Sequence, residues 1–156
     1  MEHDQEVRRI CATAYLEHVR SLKLRIDAIA EQIEPLREMV GTTMDCRERV
    51  SKTPNHKSLE ESVIRLQELI ADYCTEMAEF VDEQRSAHDV ICRLSKPERA
   101  RALAGYYVNG KSWEMLCVEM GYSWQGMMSL RKRAVDEVYD LMPEQWRRDA
   151  IPNAMA

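Results

Sequence analysis

No stretch of about 18 apolar residues occurs anywhere in the 156-residue chain, so no membrane-spanning helix is expected. The opening residues, Met1-Glu2-His3-Asp4-Gln5-Glu6, hold three acids and no apolar core, which argues against a secretory leader. Five cysteines (Cys11, Cys46, Cys74, Cys92, Cys117) are odd in number and include no C-x-x-C pair. That excludes a disulfide framework and a zinc knuckle as expectations and points to a reducing cytoplasm. The four histidines, His3, His18, His56 and His88, fall in different segments and suggest no metal site. No glycine-rich phosphate loop, nucleophile elbow or paired-carboxylate constellation is present, so neither an enzyme nor a cofactor is expected. Glycine and proline number only five each, which leaves long stretches without helix breakers.

What remains is a soluble, globular composition: 45% hydrophobic, 31% charged, net charge −5. Its parts are unevenly spread. Residues 1–94 carry 13 basic and 19 acidic side chains; residues 95–156 carry 9 and 8, with seven of the ten aromatics and four of the five glycines. The shift near Leu94-Ser95 divides the chain into 1–94, a turn-containing 95–142 and a tail, 143–156.

The first part reads as two long helices. Tyr15, Val19, Leu22, Ile26, Ile29, Ile33, Leu36 and Val40 alternate at spacings of four and three. So do Leu59, Val63, Leu66, Ile70, Tyr73, Met77 and Phe80, with Ala87, Ile91 and Leu94 beyond. Only a helix keeps such residues on one stripe. Taken as roughly 4–39 and 58–93, each spans about 54 Å, and matched lengths predict an antiparallel hairpin. Ser58 with Glu61 reads as a capping box. Pro35 should loosen the last turn of the first helix. The connection 41–57 is polar and carries four cations, and is expected to be a solvated loop, with a basic loop touching DNA or an acidic partner as the alternative. Off-seam Leu16, Leu24, Leu69, Val81 and Val90 call for a further helix or a second copy of the chain, the latter favoured, so a homodimer is expected. Cys74 and Cys92 read as small buried apolar groups.

The second part predicts three helices. Ser95-Lys96-Pro97-Glu98 is a capping-box pattern for a helix running to about Val108. Ser112 can cap the next, Trp113 to Glu119, with Trp113 and Leu116 in the core. Gly121 suits a turn, and Ser123 can cap a final helix that Pro143 ends near Met142. Two short helices, a tight turn and a longer helix form a helix-turn-helix.

The residues Tyr106-Tyr107-x-x-Gly110-x-Ser112-Trp113-Glu114-x-Leu116, then Gly121-Tyr122-Ser123, Met127, Leu130 and Arg133-Ala134-Val135 resemble the C-terminal helix-turn-helix of bacterial sigma factors. The whole chain resembles phage and prophage sigma-like proteins related to the ArpU late-gene regulators. Gly126 stands where those proteins usually have Thr, Ser129 where a basic residue is common, and Cys117-Val118 replaces Ile-Ala. The resemblance implies sequence-directed binding of double-stranded DNA in transcription, contact with RNA polymerase, and a location at the bacterial nucleoid.

The final helix makes the same point from its own geometry. At 100° per residue, Met127, Leu130, Ala134, Val138 and Leu141 share the inner side, while Gln125, Ser129, Lys132 and Asp136 share the outer one, flanked by Met128 and Arg133. Gln125, Met128, Ser129 and Lys132 are the base-edge candidates, with Gln125 able to pair bidentately with adenine. Lys111, Ser112, Ser123, Arg131 and Arg133 are the phosphate candidates. Asp136 would repel a DNA backbone, so groove contact should end before it. Trp124 is expected to pack against Tyr122 or a neighbouring helix rather than stack on DNA. The competing expectation is an adaptor that docks on RNA polymerase or another phage protein without reading DNA.

Overall fold

The computed structural model describes residues 1–47 and 56–147. Among them the chain is all-α: α1 (Glu2–Arg47), α2 (His56–Cys92), α3 (Pro97–Leu103), a π-helical turn (Ala104–Val108), α4 (Trp113–Met120), α5 (Trp124–Leu141) and a 3-10 turn (Glu144–Trp146). No described helix is long and apolar enough to cross a membrane.

α1 exceeds the span expected of it, and α2 matches its expected span to within two residues at either end. α1 continues through Pro35 to Arg47 instead of loosening there. Proline withholds its amide from the carbonyl of Glu31, but both residues lie on an exposed side, where water can hydrate that carbonyl. α2 begins at His56, so Ser58 is already inside the helix, and its carbonyl accepts the Ser62 hydroxyl at 2.9 Å. Residues 41–47 and 56–57 of the predicted connection are therefore helical; the rest of it lies outside the described residues, as do residues 148–156.

The chain divides into two compact units, and the division does not fall at Leu94-Ser95. One unit comprises Met1–Lys23 with Phe80 onward; the other is Leu24–Glu79. The composition shift missed this because the start of α1 and the end of α2 belong to the same core as α3 to α5. In the first unit Ala12, Tyr15, Leu16, Val19, Leu22, Ala87, Leu103, Tyr107, Met127, Ala134 and Val138 are fully shielded from solvent. Leu16 and Val90, too many for a bare hairpin, are thus buried within this unit. The Tyr15 hydroxyl lies 3.3 Å from Ser86 Oγ. The first residues of the predicted tail are also ordered here: Trp146 packs on Tyr15 and His18 at ring separations of 5.8 and 5.2 Å.

The second unit is thin. Ile26 and Leu69 are buried, and Arg25 pairs with Glu76 at 3.3 Å. Leu24, Met39, Ile64 and Ile70 remain exposed. Ile70 was expected on the seam; Leu69 takes that place.

Local chemistry explains the remaining joins. The expected capping box at Ser95 does not form: Lys96 is the N-cap of α3, without a side-chain bond. Ser95 instead gives its amide (2.9 Å) and hydroxyl (2.8 Å) to Glu137 of α5. The helix then widens into the π turn, where Asn109 N–H reaches Ala104 C=O at 2.9 Å. Gly105 sits in this turn against Leu116 of α4.

Candidate nucleic-acid interface

α4, its turn and α5 start where the sequence indicates. Ser112 Oγ accepts the Met115 amide at 3.2 Å and Ser123 Oγ the Gly126 amide at 3.1 Å. Each bond satisfies one of the free N–H groups of a helix start. Gly121 takes φ +70°, a left-handed turn that closes α4 at no steric cost.

α5 presents two unlike sides. Met127, Ala134, Val135 and Val138 are buried, whereas Gln125, Ser129, Lys132 and Arg133 are exposed. Met128 is half-buried at the edge of this outer strip. Gln125, Ser129 and Lys132 therefore lie together on an open face, with side chains able to donate to and accept from base edges.

Asp136 departs from the expectation. Both its oxygens bind Arg9 of α1, at 2.7 and 2.8 Å, and the pair is half-buried. The hydrogen bond to Asp136 holds the Arg9 guanidinium above its ordinary pKa. Arg8 adds contacts with Asp140 at 3.7 Å and with the Tyr139 ring at 5.0 Å. Asp136 is thus neutralised rather than repelling, and α1 closes that end of the open face.

Two of the five phosphate candidates are engaged by other side chains of the protein. Arg131 reaches the Tyr107 hydroxyl at 3.4 Å and lies 5.2 Å over the Trp113 ring. Its angle on α5 places it nearer the inner side than the outer. Lys111 is paired with both oxygens of Glu119, at 2.9 and 3.1 Å. Ser112 and Ser123 spend their oxygens on caps. Arg133 has no charged partner among the described residues.

Behind this face runs an aromatic ladder that sequence reasoning did not see. The Arg20 guanidinium of α1 sits 3.8 Å from the centre of Tyr106, which stacks on Trp113 at 4.4 Å and 17°; Arg131 covers the next face of Trp113. Arg20 also donates to the Tyr106 carbonyl at 2.5 Å. The ladder ties α1, the π turn, α4 and α5 together, and cations over ring faces strengthen it. Only the pattern Tyr106-Tyr107 and Trp113 hinted at it; its long-range cation carried no local signal.

Other expectations change as well. Among the described residues Trp124 packs on no ring and is 51% exposed at the first turn of α5; Met115 (50%) and Val118 (85%) of α4 are exposed too. Cys74 and Cys92 are exposed rather than buried. His88 and Cys92, which stand four residues apart, were not paired in the sequence reading, yet Nε2 and Sγ lie 3.4 Å apart. Two such groups do not make a metal site, and the described residues contain no cluster of three or more candidate ligands. Comparisons with protein-family models, curated proteins and solved structures return no match to this chain.

Proposed function

We propose that this protein is a sequence-directed DNA-binding regulator of transcription, of the phage type that the sigma-like residues suggest, acting as a homodimer. α5 would enter the major groove by its first half, with Gln125, Ser129 and Lys132, and Met128 at their edge, on the bases. The supporting observation is the open outer strip of α5: these polar side chains are exposed, while Met127 and Ala134 behind them are fully buried. The resemblance to phage sigma-like regulators points the same way.

Selection of bound sequences from a random duplex pool, followed by titration at two salt concentrations, tests the reading. Wild-type binding should weaken steeply with salt, and Gln125→Ala should lower the preference for the selected site about 5- to 150-fold, the range of one bidentate base contact. Absence of duplex binding removes the proposal.

One observation favours a second reading. Met115 and Val118 on α4 and Trp124 at the start of α5 expose apolar surface, as a protein-docking module would. In that case the chain is an adaptor for RNA polymerase or another phage protein. Binding to the purified polymerase with no duplex affinity would identify it.

A further inference from the structure

Beside the open strip of α5 lies a cleft of about 380 Å³, lined by Lys96, Glu98 and Arg99 from the start of α3 and by Tyr122, Gly126, Ser129, Leu130 and Arg133 from the turn and α5. Three of these residues are cations drawn from two elements, and Glu98 is the single acid. Arg99 is held in place by Glu137 and by the Ser95 hydroxyl at 3.3 Å, so its charge is locally balanced. Lys96 and Arg133 are exposed and have no carboxylate partner among the described residues. Gly126 contributes no side chain to the wall, and a β-carbon there would come within 3.1 Å of Ser123 Oγ. Ser129 belongs both to this cleft and to the proposed base-reading strip.

The C-terminal end of the strip is chemically different. There α1 abuts α5 through Arg9 and Asp136, and a shallow groove on α1 is lined by Glu6, Arg9, Ile10, Thr13, Ala14 and Glu17. Its one cation is engaged with Asp136, which leaves two carboxylates. A polyanion meeting the outer strip of α5 is attracted on the α3 side, where Lys96 and Arg133 stand.

We infer that the cleft between α3 and α5 seats a phosphodiester of the duplex backbone, held by Lys96 and Arg133 with the Ser129 hydroxyl. This assignment rests on the DNA-binding reading above. It transfers the phosphate-holding role from Lys111 and Arg131, which are internally paired, to a pair from two different elements. It also fixes which side of α5 the contacted strand follows.

The test measures duplex affinity of the full chain against salt for wild type, Lys96→Gln/Arg133→Gln, Lys111→Gln and Glu98→Gln, with circular dichroism confirming that each folds. Each phosphate contact contributes about 0.9 to the slope of log affinity against log salt. The double variant should lose close to two such contacts from the slope and about 10- to 100-fold in affinity at low salt, while keeping its preference for the selected sequence. Lys111→Gln should leave the slope as it is, and Glu98→Gln should tighten binding severalfold. A neutral methylphosphonate placed at single backbone positions should weaken wild type at one or two of them, and the double variant no further. If wild type binds with Gln125-dependent preference but the double variant keeps its slope, the cleft assignment fails and the DNA reading stands. If wild type binds no duplex, both fall. Weakening by Lys111→Gln equal to that of the double variant also overturns the assignment.

Discussion

Gly105 sets how closely the π turn approaches α4. A β-carbon there would lie 2.5 Å from Leu116 Cδ2 and 3.3 Å from Cδ1, and Leu116 is itself fully packed. Gly105→Ala should therefore cost about 1–3 kcal/mol of overpacking, offset by up to about 1 kcal/mol of helix propensity. A lowered urea midpoint is the expected outcome; an unchanged one would mean that Leu116 can turn aside. Two tyrosines give a second prediction at this scale. Burial raises the pKa of Tyr15 and Tyr107 above 10.0, although Ser86 and Arg131 respectively pull the other way. A raised folded value means that the native state holds the phenol proton more tightly than the unfolded chain. The stabilisation is then complete below pH 10 and drains away as pH rises through the folded value. Absorbance titration should show these two phenols ionising above the ordinary tyrosine value, and Tyr107→Phe should flatten the alkaline loss of stability. Residue roles were legible in the sequence where they are local, as for Ser112, Gly121 and Ser123. The partners of Arg131 and Lys111 were not, because a side chain's choice among acceptors depends on what folding brings alongside.

The elements themselves were largely written in periodicity and caps, and their limits were less so. Pro35 predicts a loosened last turn of α1, yet the helix runs on, because the carbonyl left without its amide lies on an exposed side. Ser95 was read as a cap because its competitor, Glu137, lies 42 residues away. The attachment of α1 to α5 was invisible for the same reason, and it makes a prediction. Arg9→Ala would strand the Asp136 carboxylate, half-buried, beside the open strip of α5. Breaking a charge-assisted, bidentate pair at this exposure should cost about 1–2 kcal/mol of stability. It should also restore the like-charge repulsion that the sequence alone suggests, and lower duplex affinity several-fold, whereas Arg9→Ala/Asp136→Ala should regain most of that affinity. Thermal melts and duplex titrations on the same samples separate the two effects. If the single and double variants bind DNA equally, Asp136 lies beyond the reach of the backbone.

At the scale of the whole molecule, the described residues leave apolar surface that they do not cover. The first unit absorbs Leu16 and Val90, so the expected excess of apolar residues is partly resolved within one copy. Among the described residues the second unit does not resolve it, for Leu24, Ile64 and Ile70 stay exposed on its two helices. A regulator of net charge −5 also needs help to hold a polyanion. A second copy meeting these residues would answer both needs, hiding apolar area and joining two reading helices into one bivalent ligand. Linked modules gain roughly 10²- to 10⁴-fold over one alone when both sites can be reached. Sedimentation equilibrium should accordingly find a concentration-dependent dimer, and Ile64→Gln/Ile70→Gln should shift it toward monomer without loss of helicity. On a duplex holding two half-sites that variant should bind at least 10-fold more weakly than wild type, and on a single half-site equally well. Equal weakening on both duplexes would place Ile64 and Ile70 in the support of α5 itself. A wild-type chain that stays monomeric at high concentration would leave DNA reading, if any, to one copy.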